Sequence, residues 1–128
     1  MPNGSGNSSL EEGAAMKTFG HFTLGDLPKE VLNEAISRRL IVGKNMMLQL
    51  VSVKAGTHPP GHSHPHEQLI WITSGMMNYR LGEEETKECS PGSLVVIPGG
   101  MHHETWFTAD TELIEIFSPV REDLLPKA

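Results

Sequence analysis

The sequence predicts an all-β domain, folded as a sandwich or small barrel, and three observations carry that expectation. Beyond residue 38 the chain divides into short apolar runs separated by glycine, proline and acidic turns. The spacing of those turns suits strands that fold back on one another. At 128 residues the chain has room for one core, burying about two thirds of its unfolded surface.

Residues 1–20 are read as a disordered tail ahead of a single domain over 21–128. The tail begins with a stretch rich in Gly, Ser and Asn, which cannot bury enough apolar surface to offset the entropy of ordering it. From Asp26 to Ile36 the chain could form one short helix, with Asp26 near its cap and Leu27, Val31 and Leu32 as its apolar positions; a turn followed by extended chain fits as well. The strands expected after this are 39–42, 46–53, 68–73, 76–81, 86–88, 93–97, 102–107 and 112–117. Glu83 to Glu85, after Leu81-Gly82, form a solvated hairpin turn. Strands 46–53 and 68–73 are apolar on both parities, so both of their faces need cover. A barrel covers one face from inside; a second copy in a homodimer covers the other, or the amino-terminal segment does so within one chain. Trp71 alternates away from Gln68 and belongs to that outer face.

Composition narrows the function. A net charge of −6 provides no basic footprint for nucleic acid or an anionic membrane, so a small-molecule ligand is expected. No apolar run approaches the roughly 18 residues of a membrane span, and the amino terminus lacks a signal peptide's basic start and apolar stretch, which leads to a cytoplasmic expectation. Cys89 is the single cysteine, so neither an internal disulfide nor a cysteine metal cluster is available, and its setting beside Glu88 reads as an inert thiol. The seven methionines are read as gap-filling core or pocket lining.

The chemistry concentrates in two stretches. His62 and His64 are one residue apart, so on extended chain both imidazoles face one point; Gln68 follows, and far downstream stand His102 and His103. Three imidazoles and an amide oxygen suit Mn, Fe, Ni, Co or Zn, and affinity order alone does not choose among these divalent transition metals. Successive strand residues face opposite ways, so only one of His102 and His103 should ligate. Glu67 is the alternative to Gln68, with a parity that points it away from the histidines. His58 and His66 fit the rim of such a site. The bland alternative is a His- and Pro-rich loop that binds metal adventitiously. Further on, Glu115 lies in an apolar strand with Leu113 and Phe117 on its own face. A carboxylate there costs several kcal/mol unless paired or functional, and burial should raise its pKa, as suits a general acid or base. A structural carboxylate paired with Arg80 or Arg121 is the competing reading. Phe107 shares the parity of His103 and could line a pocket.

Gly56-Thr-His-Pro-Pro-Gly-His-Ser-His-Pro-His-Glu-Gln, closing at Gly75, and Gly92-Ser-Leu-Val-Val-Ile-Pro-Gly-Gly-Met-His-His resemble the two signature motifs of the cupin superfamily. The resemblance implies a jelly-roll β-barrel, or double-stranded β-helix, here with a short amino-terminal extension, and a bound metal. Its spacing after Pro98 favours His103 over His102. With the downstream Phe-Ser-Pro-Val-Arg-Glu-Asp, the chain is similar to the small cupins grouped with the pectin degradation protein KdgF, which convert 4,5-unsaturated uronates to the linear ketone form. That likeness implies His62, His64, Gln68 and His103 as metal ligands, Glu115 and Arg121 as catalytic groups, and Phe117 and Arg121 beside the substrate, with Arg121 pairing its carboxylate in a bidentate fork. The family's acid is an aspartate, so Glu115 is one methylene longer. Many cupins place a glutamate at the position of Gln68; the neutral amide leaves the ion its full positive charge and makes it a better Lewis acid. A dioxygenase, a hydroxynitrile-lyase-like enzyme and a non-catalytic sugar-binding module are the rival functions.

Overall fold

The structure, a computed structural model, describes residues 19–126. Most of the expected tail therefore lies outside the described residues. Nine strands follow: β1 (Glu30–Val31), β2 (Ile36–Val42), β3 (Met47–Val53), β4 (Glu67–Ser74), β5 (Met77–Leu81), β6 (Lys87–Cys89), β7 (Leu94–Ile97), β8 (His103–Phe107) and β9 (Thr111–Ser118). They pair antiparallel throughout, as a six-stranded sheet in the order β1-β2-β3-β9-β4-β7 and a three-stranded sheet in the order β6-β5-β8. The two sheets enclose the core as a jelly roll, and each expected strand is present within a few residues of its expected ends.

Between residues 24 and 36 the helix does not form. One 3₁₀ turn, Leu24–Asp26, is followed by extended chain and the short strand β1. Asn33 explains the choice. Its side-chain oxygen accepts from the backbone amides of Ala35 (2.7 Å) and Ile36 (2.9 Å), closing a tight turn into β2 and competing with helix bonding.

Alternation places one parity of each strand inside. Val51, Val53, Ile70, Ile72, Met77, Cys89, Val95, Ile97, Phe107 and Leu113 form the larger apolar cluster. Leu40, Val42, Met47 and Phe117 form a smaller one, closed by Val120, Leu124 and Leu125 of the carboxy-terminal segment. Cys89 is buried and burial raises its thiol pKa, consistent with an inert role. Among the methionines Met47 and Met77 are fully buried, whereas Met46 is half exposed. On the outside, Trp71, Leu94 and Val96 of β4 and β7 are exposed, while Phe19 to Phe22 line a groove with Ile41, Met46 and Leu48 of β2, β3 and their turn.

Two contacts pin the motif loops to each other. His62 and His103 exchange backbone hydrogen bonds of 3.0 and 2.9 Å, and the Gly100 amide donates to the His64 carbonyl at 2.7 Å. Gly99 permits this approach, because a Cβ there would stand 2.2 Å from the Pro65 carbonyl oxygen.

Candidate metal centre

His62, His64 and His103 each offer a ring nitrogen, and these atoms lie within 4.8 Å of one another. Their ring centroids are 4.5 to 5.4 Å apart. His64 and His103 are buried and His62 is exposed, so the cluster opens on the His62 side. In each ring Nδ1 faces a backbone carbonyl two residues away: Pro60 for His62 (3.4 Å), His66 for His64 (3.0 Å) and Met101 for His103 (3.0 Å). A carbonyl only accepts, so Nδ1 carries the proton and Nε2 presents a lone pair. Burial lowers the pKa of both His64 and His103; Arg121 adds to this at His64, and the neighbouring histidines add to it at His103. Both are therefore neutral donors at neutral pH.

The donor set fits a divalent transition metal, and the fit is visible in what lacks a partner. Among the described residues His103 Nε2 is buried with no hydrogen bond. His64 Nε2 and Gln68 Oε1 face each other at 3.0 Å, two lone pairs with no proton between them. A cation among them resolves both conditions. The residues that would hold it are His62, His64 and His103 through Nε2 and Gln68 through Oε1. His102 and Glu67 are exposed and apart from this cluster. His66 supplies the carbonyl that orients His64, and His58, exposed at the rim, pairs with Glu104 at 2.7 Å.

Glu115 projects from β9 toward the same point. Its carboxylate accepts from Gln49 Nε2 (2.5 Å) and Gln68 Nε2 (2.9 Å). Burial raises its pKa, opposed by the Gln49 donor, by Arg121 and by other nearby donors. Neither expected arginine pairing forms: Arg80 bonds Glu104 at 3.3 Å, and Arg121 bonds Asp123 through Nη2 (2.7 Å) and Nε (3.3 Å). Asp123 thus occupies the fork expected to hold a substrate carboxylate. Arg121 lines the cavity, its guanidinium over the Phe117 ring, 5.2 Å from the ring centre.

These groups floor a cavity of about 260 Å³. Gln49, Gln68, Glu115, Arg121, His62 and His103 form the polar part of its lining. Val51, Ile70 and Leu113, one inward position further along the same strands, form the apolar part together with Phe107. Phe107 and Phe117 are buried cavity-lining residues. Sequence reasoning passed over Gln49 and Arg38. Their signal is parity: Gln49 alternates with Met47 and Val51, and Arg38 with Leu40 and Val42, placing polar groups on inward-facing positions.

Jelly roll, paired motif loops and three-histidine cluster together define a metal-binding cupin. A family model described as a cupin domain matches residues 49–117, and the chain belongs to that family. An uncharacterized protein of Streptomyces coelicolor is 27% identical over 100 residues, covering 77% of this chain and 94% of that protein. Among solved structures, KdgF from Halomonas sp. superposes with a TM-score of 0.76 at 26% identity, covering 83% of this chain and all of that one. An RmlC-like cupin from Shewanella frigidimarina gives 0.78 at 22% identity, over 86% of this chain and all of that one.

Proposed function

We propose that the protein is a redox-silent, metal-dependent cupin enzyme that isomerises a small sugar acid, converting a 4,5-unsaturated uronate to its linear ketone form. The observation that carries this reading is Glu115, a buried carboxylate held between two amides beside the three-histidine cluster. The likeness to the Halomonas KdgF supports it. A bound divalent ion would supply Lewis acidity, easing the build-up of negative charge on a substrate oxygen. Glu115 takes the proton of the anomeric hydroxyl as the ring carbon–oxygen bond breaks, then returns it to C4 of the resulting enolate. Bonds and protons balance, and the overall change is an isomerisation. Arg121, at the cavity lining, attracts the carboxylate, and Phe117 holds the guanidinium in place by stacking. Purified protein loaded with Mn, Co, Ni or Zn should speed the loss of the enol-ether absorbance of an unsaturated uronate. Loss at the spontaneous rate with every metal would end this reading.

The apolar lining of Val51, Ile70, Phe107 and Leu113 favours a second reading, a hydroxynitrile-lyase-like reaction on a less polar substrate. Cyanide release from an aromatic hydroxynitrile, without uronate turnover, would select it. We also propose that the exposed strip of Trp71, Leu94 and Val96 is covered by a second copy of the chain.

A further inference from the structure

Arg38 is a buried charge that the proposed chemistry does not use. It faces the barrel interior from β2 with only 4% exposure. Its Nε bonds Glu30 at 2.9 Å, its Nη1 bonds Gln49 Oε1 at 3.0 Å, and its Nη2 donates to the Leu124 carbonyl. A guanidinium only donates, so Gln49 must turn its oxygen to Arg38 and its amino group to the other side. There Gln49 Nε2 meets Glu115 Oε1 at 2.5 Å. The second oxygen of Glu115 takes the amino group of Gln68 at 2.9 Å, which leaves Gln68 Oε1 facing His64. Reversing either amide would set donor against donor or oxygen against oxygen. The register makes the row continuous: Gln49 and Glu115 are direct cross-strand partners, and the other two links are diagonal neighbours.

We propose that Arg38 and Gln49 are positioning residues for the metal centre, imposing through Glu115 the amide orientation that points the Gln68 oxygen at the ion. This rests on the metal-binding reading and is independent of the uronate chemistry. A purely structural Arg38 would need only Glu30 and Leu124, which tie β1 and the carboxy-terminal segment to the barrel. The Gln49 contact is the one that leads to the site.

The full chain loaded with cobalt(II) tests this, through its visible ligand-field bands and the affinity measured against a chelator. Gln49→Met keeps the volume and removes both amide ends; it should shift the bands and weaken cobalt binding at least about 10-fold. Arg38→Met should do the same, and Arg38→Lys, which keeps one donor for Gln49, should recover most of the affinity. Glu30→Ala releases Arg38 on the side away from the site, so it should lower the melting temperature and leave the bands in place. If near-ultraviolet circular dichroism shows that a methionine variant has not folded, Gln49→Asn, too short to span both partners, replaces it. Wild-type bands and affinity in a folded Gln49 variant would overturn the proposal, as would an equal band shift from Glu30→Ala. Uronate turnover is scored separately: its absence alongside the expected shifts would count against the proposed reaction alone.

Discussion

At the scale of single residues, the site is decided by which atoms carry protons. His64 and His103 hold their Nδ1 protons on the chain's own carbonyls, so each brings one lone pair inward. Replacing either by alanine should cost at least about 100-fold in metal affinity, since loss of an outer-sphere partner alone costs 10- to 100-fold; metal content after dialysis measures this. Glu115→Gln leaves the strand intact and removes the proton acceptor. Under the proposed chemistry it should lower kcat at saturating metal by about 10²- to 10⁴-fold. Because an amide offers one oxygen to the two donors, it should also weaken metal binding about 10-fold. The same residues set the pH response of the metal-free protein. Burial lowers the folded-state pKa of His64 and His103, so the unfolded chain binds more protons below about pH 6.5, and stability is lost as the pH falls through that value. Glu115, whose folded-state pKa is raised, acts oppositely: its contribution is lost as the pH rises above about 4.5. The Glu115→Gln variant isolates the histidines, and its melting temperature should fall steadily from pH 7 to pH 5.5. A flat profile would mean the rings titrate as they do in water.

At the scale of elements, the two motif loops matter as a pair. Gly99 touches Pro65 so closely that Gly99→Ala must push the loops apart, at a cost of about 1–3 kcal/mol. Melting temperature and metal affinity should fall together, whereas a turn glycine far from the site should move only the first. Gly75 is that control: its φ of +90° and a would-be Cβ 2.3 Å from the Asp110 carbonyl oxygen make alanine destabilising at the β4–β5 turn. The eight strands from β2 onward were legible because each couples an apolar run to a turn signal. β1 was not: two residues carry no period, and its place is fixed by the Asn33 turn and by Arg38 reaching Glu30. In the site, His-x-His was legible because side chains two apart in extended chain share a side. The Gln49 and Arg38 row was not, since it depends on direct and diagonal neighbours across strands β2, β3, β9 and β4. The engagement of Arg121 by Asp123 was hidden for a different reason, being a contact between side chains two residues apart at the start of a single 3₁₀ turn, Glu122–Leu124.

At the scale of the whole molecule, a polar row crosses the barrel between two apolar clusters, and the outer surface carries its own asymmetry. The strip on β4 and β7 is open, with Leu94 and Val96 more than half exposed, whereas Phe19 to Phe22 lie along β2 and β3. If a second copy covers the strip, Leu94→Asp with Val96→Asp should yield a monomer in light scattering while metal content is unchanged. The proton arrangement has a consequence for the molecule as a body. Each imidazole has already committed its hydrogen to the backbone, and the fourth donor is an amide with none to release. His64, His103 and Gln68 should therefore release no hydrogen ions on loading at neutral pH, so any buffer-dependent part of the calorimetric heat would report the other groups of the site. The net charge of −6 should become less negative on loading, which isoelectric focusing would register as an upward shift.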